Sequence, residues 1–264
     1  ILGPGRACIV LYHRVNDLNE DALTTSLARF AEHMLVLQRY YSVISTSALI
    51  ENLQSGKWLS GHPAAIHFDD CYKDVLTHAA PILAEAKLSA CCFVSSGYIG
   101  TDRVFPHDLE LSPFQNENFT ASDLRDLLRR GLEIGSHSVN HADLGQSGEE
   151  EMEWEVVESK KSIETLINKP VQWFSYPFGR RHNTCPGVTE HVKKAGYTAM
   201  FSAYGGYVTN QSDFFDLPRI GASGQFRAID LLMEIEGLSL GAIVRRAKGL
   251  LAGPANRQFY TAPH

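Results

Sequence analysis

The chain has 264 residues, a formal net charge of −6 at pH 7 and 44% hydrophobic residues. This length and apolar content fit one globular domain with a substantial core. The net negative charge gives no electrostatic reason to expect nucleic-acid binding. The sequence contains no run of about 18 apolar residues, so no membrane span is predicted. The five cysteines show no C-x-x-C spacing, which favours a reducing compartment.

Strand-like and helix-like segments alternate along the chain, which is typical of a parallel sheet covered by helices. The segments that predict strands are 7–12, 64–68, 90–95, 132–136, 172–176, 197–201 and 217–220. Seven such strands with crossing helices favour an α/β fold of the distorted (β/α) barrel type over an open, doubly wound sheet.

Apolar residues spaced three and four apart predict the helices between these strands. They cover residues 27–37, 75–86, 120–131, 147–166, 188–196 and 230–251. Thr120 with Asp123, and Ser147 with Glu150, are capping-box starts. The stretch 97–119 predicts a long loop that shapes a substrate groove. We expect one catalytic domain over residues 1–264, with 225–264 as a C-terminal helical extension.

Acidic and imidazole side chains follow two of the predicted strands. Asp69 and Asp70 come after strand 64–68, and His137 and His141 come after strand 132–136. Active sites of parallel α/β folds collect at the carboxyl ends of strands. Two imidazoles and one carboxylate make a three-ligand site for a metal such as zinc, and the second carboxylate is then free to act as a base. Taken alone, the Asp-Asp pair suits a helix N-cap better than a metal site, but the combination with the two histidines predicts a metal-assisted hydrolase.

Five short motifs follow one another in a fixed order. They are Tyr12-His13-Arg14-Val15, His67-Phe68-Asp69-Asp70-Cys71-Tyr72, His137-Ser138-Val139-Asn140-His141, Tyr176-Pro177-Phe178-Gly179 and Leu217-Pro218-Arg219-Ile220. Together they resemble the motifs of the NodB-like polysaccharide deacetylases, carbohydrate esterase family 4, over roughly residues 8–221. The resemblance implies a metal-dependent hydrolase that removes N-acetyl groups from amino sugars in a polysaccharide or glycan precursor. In that family metal-bound water attacks and an aspartate is the general base.

The resemblance also assigns roles to individual residues. Asp69 is the base, and the metal ligands are Asp70, His137 and His141. The expected metal is Zn²⁺, with Co²⁺ or Ni²⁺ as alternatives. The backbone N–H of Phe178 helps to hold the oxyanion. The implied partner is an N-acetylated glycan or amino sugar, and the oligomeric state is left open.

Several positions depart from the family's pattern. The late L-x-H motif, which usually carries the general acid, is missing. His13, at the end of the first predicted strand, is the candidate acid, and His107 is the alternative. Ser175 stands where the third motif has an arginine, and Arg219 is a candidate for the compensating charge. Two further replacements are Cys71 for a glycine and His67 for a threonine.

Two other functions fit the same residues. One is another amide hydrolase on this scaffold, such as a deformylase or a cyclic-imide hydrolase. The other is a non-catalytic carbohydrate-binding module, which would keep metal and glycan affinity without releasing acetate. Because no signal peptide is visible, the sequence favours a cytoplasmic location, whereas a removed leader would indicate a periplasmic or extracellular one.

Overall fold

A computed structural model describes residues 5–18, 20–56, 62–70, 72–111 and 116–244. The strands in these ranges are β1 (Cys8–Tyr12), β2 (Arg14–Val15), β3 (Thr24–Thr25), β4 (Ser42–Val43), β5 (Pro63–Phe68), β6 (Cys91–Val94), β7 (Glu133–Ser136), β8 (Trp173–Ser175), β9 (Ala199–Phe201) and β10 (Ile220–Gly221). The α-helices are α1 (Leu27–Tyr40), α2 (Thr46–Ser55), α3 (Ala80–Ala86), α4 (Pro106–Leu111), α5 (Ala121–Arg129), α6 (Glu149–Ile167), α7 (Pro186–Lys194) and α8 (Ala228–Ile235).

The main sheet is parallel and curled. Its strand order is β10-β1-β5-β6-β7-β8-β9, and β4 also pairs with β5. Just before β10, Leu217 forms a bridge to Phe201 of β9, while Ile220 pairs with Val10 of β1. The segment 217–221 therefore contacts both β1 and β9, the first and last of the other strands in this order. This architecture confirms the predicted distorted (β/α) barrel.

Side-chain alternation divides the core into an inner and an outer layer. Ile9, Ala65 and Phe93 point inward and belong to one hydrophobic cluster. Their neighbours Val10 and Ile66 point outward and join the cluster that packs against the helices. The strands β1, β5 and β6 are thus covered on both faces, which explains why they read as continuous apolar runs.

The predicted helices are largely confirmed, with shifts at their ends. Thr120 and Asp123 form the predicted capping box at the start of α5. The N-cap of α6 is Gly148 rather than Ser147, and its first turn carries three glutamates, which suit the positive end of the helix dipole. The predicted helix 75–86 is split, because a π-helical turn (Val75–Ala79) precedes α3.

The structure differs from the sequence predictions in three places. The predictions lack the helix α2, although Ser45 caps it and Gly56 ends it in the left-handed region. The long loop after residue 97 contains α4. The predicted terminal helix 230–251 is interrupted, because α8 ends at Ile235 and Gly237 adopts a φ of 71°. Residues 245–264 and Cys71 lie outside the described residues. Among the described helices, none has the length and apolar character needed to cross a membrane.

Asp74 provides a test of how burial affects the stability of this fold. Its Oδ2 accepts hydrogen bonds from the backbone N–H of Val15 (2.9 Å) and from Asn16 (2.6 Å). Its buried Oδ1 has no hydrogen-bond partner among the described residues. Burial raises the pKa of Asp74 from 3.8 to about 6, against the hydrogen bonds that lower it.

We therefore expect Asp74→Asn to be more stable than the wild type at pH 8, by on the order of 1–3 kcal/mol. Because the pKa of Asp74 is raised in the folded protein, the contribution of this carboxyl to the free energy of unfolding is fully present below pH 4. That contribution is lost as the pH rises from there through about 6. The variant lacks this loss, so the two proteins should have similar stability at pH 4. Urea unfolding at pH 4, 6 and 8 measures the difference, and parallel pH profiles would contradict the prediction.

Candidate metal centre and active site

The inner face of β5 leads directly to the candidate site. Ala65 and His67 point inward, and Asp69 continues the same alternation just beyond the strand. The His67 ring lies between Phe93 and Phe201, with ring centroids at 4.9 and 4.8 Å. Burial and the nearby charge of Arg219 hold the pKa of His67 well below its usual range. A neutral, packed histidine thus forms the floor beneath Asp69.

Asp70, His137 and His141 come together at the carboxyl ends of β5 and β7. All three are buried, and one ligand atom from each lies within 4.8 Å of the others. The Oδ1 atom of Asp70 is 3.4 Å from His137 Nε2 and 3.1 Å from His141 Nε2. These are the same three residues that the sequence predicts as metal ligands.

The donor set fits a divalent metal ion such as Zn²⁺. His137 Nδ1 lies 2.7 Å from the carbonyl oxygen of Ser175, so Nδ1 carries the proton and Nε2 offers its lone pair. Asp70 Oδ1 is buried without a hydrogen-bond partner among the described residues. Burial disfavours charge on Asp70, but the neighbouring His141, His107 and His137 hold its pKa well below the usual range. Two imidazoles and an ionised carboxylate are ligands that zinc, cobalt and nickel accept.

The backbone around these ligands is held in an unusual conformation. Asp70, Ser138, His141 and Phe178 all have φ values between 57° and 67°, the left-handed region that non-glycine residues rarely adopt. Such conformations cost of order 1 kcal/mol or more each and persist only where the surroundings enforce them. Their concentration at one place marks this end of the barrel as the functional end.

Glu155, on α6, enforces part of that conformation. Its side chain is buried, and its Oε2 accepts hydrogen bonds from the backbone N–H groups of Val139 (2.7 Å) and Asn140 (2.8 Å). The His137–His141 loop is therefore clamped by a carboxylate that sequence reasoning missed. The signal was present, because Glu155 falls between Met152 and Val156 on the buried stripe of the helix.

The proposed base, Asp69, forms a buried ion pair with Arg219. Two guanidinium nitrogens donate to its two oxygens at 2.7 and 2.6 Å. Arg219 also donates to the Ser175 hydroxyl (2.7 Å) and to the Ser202 carbonyl (2.6 Å). Burial alone would raise the pKa of Asp69, but the charges of Arg219 and His137 lower it to about 2. Arg219 precedes β10 rather than ending a strand at 217–220, and it fills the space beside the small Ser175.

Removing the arginine tests this arrangement. We expect Arg219→Leu to lower the free energy of unfolding of the metal-free protein by about 3–5 kcal/mol, because Asp69 is left buried and unpaired. The double variant Asp69→Asn with Arg219→Leu removes both charges and should recover much of that loss. Urea unfolding in the presence of a chelator measures both, and a single variant as stable as the wild type would contradict the pairing.

The remaining predicted residues lie around this cluster. His13 follows β1 and is partly buried, and the charges that act on it include those of Asp69, Asp70 and Arg219. Phe178 is 50% exposed, with its ring centroid 4.7 Å from that of His141. Gly179 must be a glycine, because it has a φ of 65° and a Cβ there would lie 2.3 Å from the Ala203 Cβ.

A curled parallel sheet with these groups at its carboxyl ends defines an α/β-barrel protein with a candidate hydrolytic site. The polysaccharide deacetylase family profile matches residues 58–200, which is more than half of the chain. The chain therefore belongs to the polysaccharide deacetylases, a family of hydrolases, and the resemblance to the NodB-like members is confirmed. The matched range includes the three candidate ligands but neither His13 nor Arg219.

Two relatives show the range of similarity in sequence. The Bacillus subtilis (strain 168) protein YxkH, a polysaccharide deacetylase by name, is 23% identical over 221 residues, which are 83% of this chain and 72% of YxkH. The Staphylococcus aureus (strain MSSA476) poly-β-1,6-N-acetyl-D-glucosamine N-deacetylase is 26% identical over 164 residues. That match covers 59% of this chain and only about half (52%) of the relative.

Solved structures support the fold. The Streptococcus pyogenes deacetylase PplD, in complex with acetate, superposes with a TM-score of 0.74 at 19% identity, covering 89% of this chain and 100% of PplD. IcaB from Ammonifex degensii gives a TM-score of 0.72 at 16% identity, covering 89% of this chain and 98% of IcaB. At these identities the likeness establishes the barrel and its topology.

Proposed function

We propose that the chain is a metal-dependent N-deacetylase that removes acetyl groups from amino sugars in a polysaccharide or glycan precursor. The observation that carries the proposal is the buried Asp70, His137 and His141 group beside the Asp69–Arg219 pair. Membership in the polysaccharide deacetylases and the named activity of the Staphylococcus aureus relative support the choice of substrate class.

The three ligands would hold Zn²⁺, or Co²⁺ or Ni²⁺ in its place. Such an ion, when bound, polarises an acyl oxygen and makes water more acidic. Asp69 would accept a proton from the attacking water. Its ion pair with Arg219 keeps it ionised at neutral pH, since its pKa is about 2. Ser175 and Arg219 fix the orientation of the carboxylate in the buried site.

Two further residues would complete the reaction. The backbone N–H of Phe178, placed at the rim by its left-handed φ of 62°, would donate to the developing oxyanion. His13 would donate a proton to the departing amine, because an amide anion is too unstable to leave. Burial lowers the pKa of His13, and the carboxylates of Asp69 and Asp70 oppose that shift. A histidine with a lowered pKa is the stronger acid once it is protonated.

Acetate release from N-acetylglucosamine oligomers tests the proposal. Zinc-loaded protein, chelator-treated protein and chelated protein reloaded with zinc are compared on β-1,4- and β-1,6-linked oligomers. We expect release that disappears with the chelator and returns with the metal. Protein that binds zinc stoichiometrically but releases no acetate from any oligomer would contradict the activity. Formamide and cyclic-imide substrates would then identify a different amide hydrolase.

The role of His13 has its own test. We expect His13→Ala to lower turnover on the amide substrate by about 10²–10⁴-fold while the metal content stays unchanged. On 4-nitrophenyl acetate the loss should be much smaller, because that leaving group departs without protonation. Equal losses on both substrates would show that His13 does not act as the acid.

A further inference from the structure

His107 occupies the side of Asp70 that the other two histidines leave open. Asp70 directs Oδ1 towards His137 and His141, whereas its Oδ2 lies 3.4 Å from His107 Nε2. His107 comes from the start of α4, in the segment predicted as a groove-shaping loop, and its side chain is 20% exposed. The sequence indicated for His107 only the role of an alternative general acid.

The neighbouring hydroxyl determines which form of the imidazole faces Asp70. The Tyr72 hydroxyl donates its proton to Asp108 Oδ2 at 2.9 Å. The same hydroxyl oxygen lies 2.9 Å from His107 Nε2. Because its only proton is already donated, the oxygen accepts from an N–H on Nε2. Tyr72 and Asp70 therefore both lie on the donor side of this nitrogen, which has no lone pair to offer to a metal.

A buried arginine holds this arrangement in place from behind. Arg14 is fully buried and pairs with Asp108 and with Asp21 (2.7 Å), and it also donates to Thr24 (2.8 Å). Its guanidinium lies 5.2 Å from the centre of the Tyr72 ring. Arg14 belongs to the Tyr-His-Arg-Val motif, and the proposed reaction gives this arginine no other role.

Aromatic packing restrains the imidazole on its other side. The Phe105 ring stacks on Tyr98, with centroids 3.8 Å apart and planes 3° apart. The same ring lies 5.5 Å from the His107 ring in a roughly parallel orientation. The position of His107 is therefore set by packing and hydrogen bonds, and the metal ligands alone do not determine it.

We propose that His107 is a positioning residue for Asp70. Its Nε2–H is shared between the Tyr72 hydroxyl (2.9 Å) and the outer oxygen of the Asp70 carboxylate (3.4 Å). The inner oxygen therefore stays directed at the two imidazoles, and the site binds its metal more tightly. Tyr72, Asp108 and Arg14 fix the donor. This inference rests on the proposed metal site, and it replaces the alternative role of His107 as the general acid.

The test is the affinity for Zn²⁺, measured by competition with a chromophoric chelator. We expect His107→Ala to weaken zinc binding by about 10–100-fold, as is typical for the loss of a partner that orients a ligand. His107→Gln should retain most of the affinity, because its amide nitrogen occupies the position of Nε2. Tyr72→Phe removes only a hydroxyl and should give a smaller loss, which keeps the test valid if the alanine variant folds poorly.

The control variant is His78→Ala, which removes a half-buried histidine whose Nδ1 lies 3.0 Å from the Val15 carbonyl. Its zinc affinity should equal that of the wild type. The absorption spectrum of bound Co²⁺ should be the same in His107→Ala and the wild type, because the ligand set is unchanged. Unaltered zinc affinity in His107→Ala, or a Co²⁺ spectrum showing a lost nitrogen ligand, would overturn the inference. A wild-type protein that binds no metal would instead refute the proposed function.

Discussion

Replacing Asp70 by alanine is expected to abolish both stoichiometric zinc binding and acetate release. Asp70 is the carboxylate that approaches both His137 and His141, so its loss leaves two neutral imidazoles and no charge to balance a divalent ion. Metal content after dialysis, measured by mass spectrometry, is the direct readout. His137→Ala should give the same result, because it removes the ligand that Ser175 orients.

Two further variants separate loss of the ligand from damage to the fold. Asp70→Asn keeps the shape of the side chain, and asparagine tolerates the left-handed φ of 67° at this position. It should therefore fold normally and still lose the metal. Asp74→Asn changes an acid four positions along the chain and should retain the full zinc content. Full zinc content in Asp70→Ala or Asp70→Asn would refute the ligand assignment.

Asp69→Asn is expected to retain the metal while turnover falls by about 10²–10⁴-fold, the usual effect of losing a general base. An amide does not accept a proton from water at neutral pH. Turnover and zinc content must be measured on the same preparation, so that the two effects can be separated. A rate near that of the wild type would exclude the proposed role of Asp69.

Asp69→Asn also leaves Arg219 without its charged partner, so some loss of stability is expected alongside the loss of rate. Arg219 keeps its hydrogen bonds to Ser175 and Ser202, which limits the damage. The double variant Asp69→Asn with Arg219→Leu should be more stable than Arg219→Leu alone. Its turnover should be as low as that of Asp69→Asn. Recovery of stability without recovery of turnover would distinguish the catalytic role from the structural one.

The grouping of the three candidate metal ligands was predictable, because short motifs placed at strand ends carry them. In a parallel sheet, residues that directly follow a strand all reach the same edge, so chain position was enough to bring Asp70 and His137 together. The compensating charge was also predictable, since the missing arginine at Ser175 and the arginine at position 219 both lie in recognised motifs. The contacts of Ser175 and Arg219 with Asp69 could not be predicted, because they depend on how the sheet curves.

Other features depend on contacts that no local pattern indicates. Arg14 and Asp108 are separated by 94 positions in the chain, and only tertiary packing shows that they pair. The clamp by Glu155 was visible only as an acid within an apolar helical stripe. The break near Gly237 was missed because apolar periodicity continues on both sides of it, while the left-handed glycine ends the helix.

The Asp69–Arg219 pair joins residues 150 positions apart, and this separation has a consequence for synthesis and folding. Contacts this distant in sequence form late, because a long segment must be ordered before they can close. A growing chain that ends before residue 219 contains the three candidate ligands but lacks the partner of the proposed base. Catalytic competence would therefore arise only when the last strand docks on the first, so hydrolysis would begin with completion of the barrel and not with formation of the metal centre.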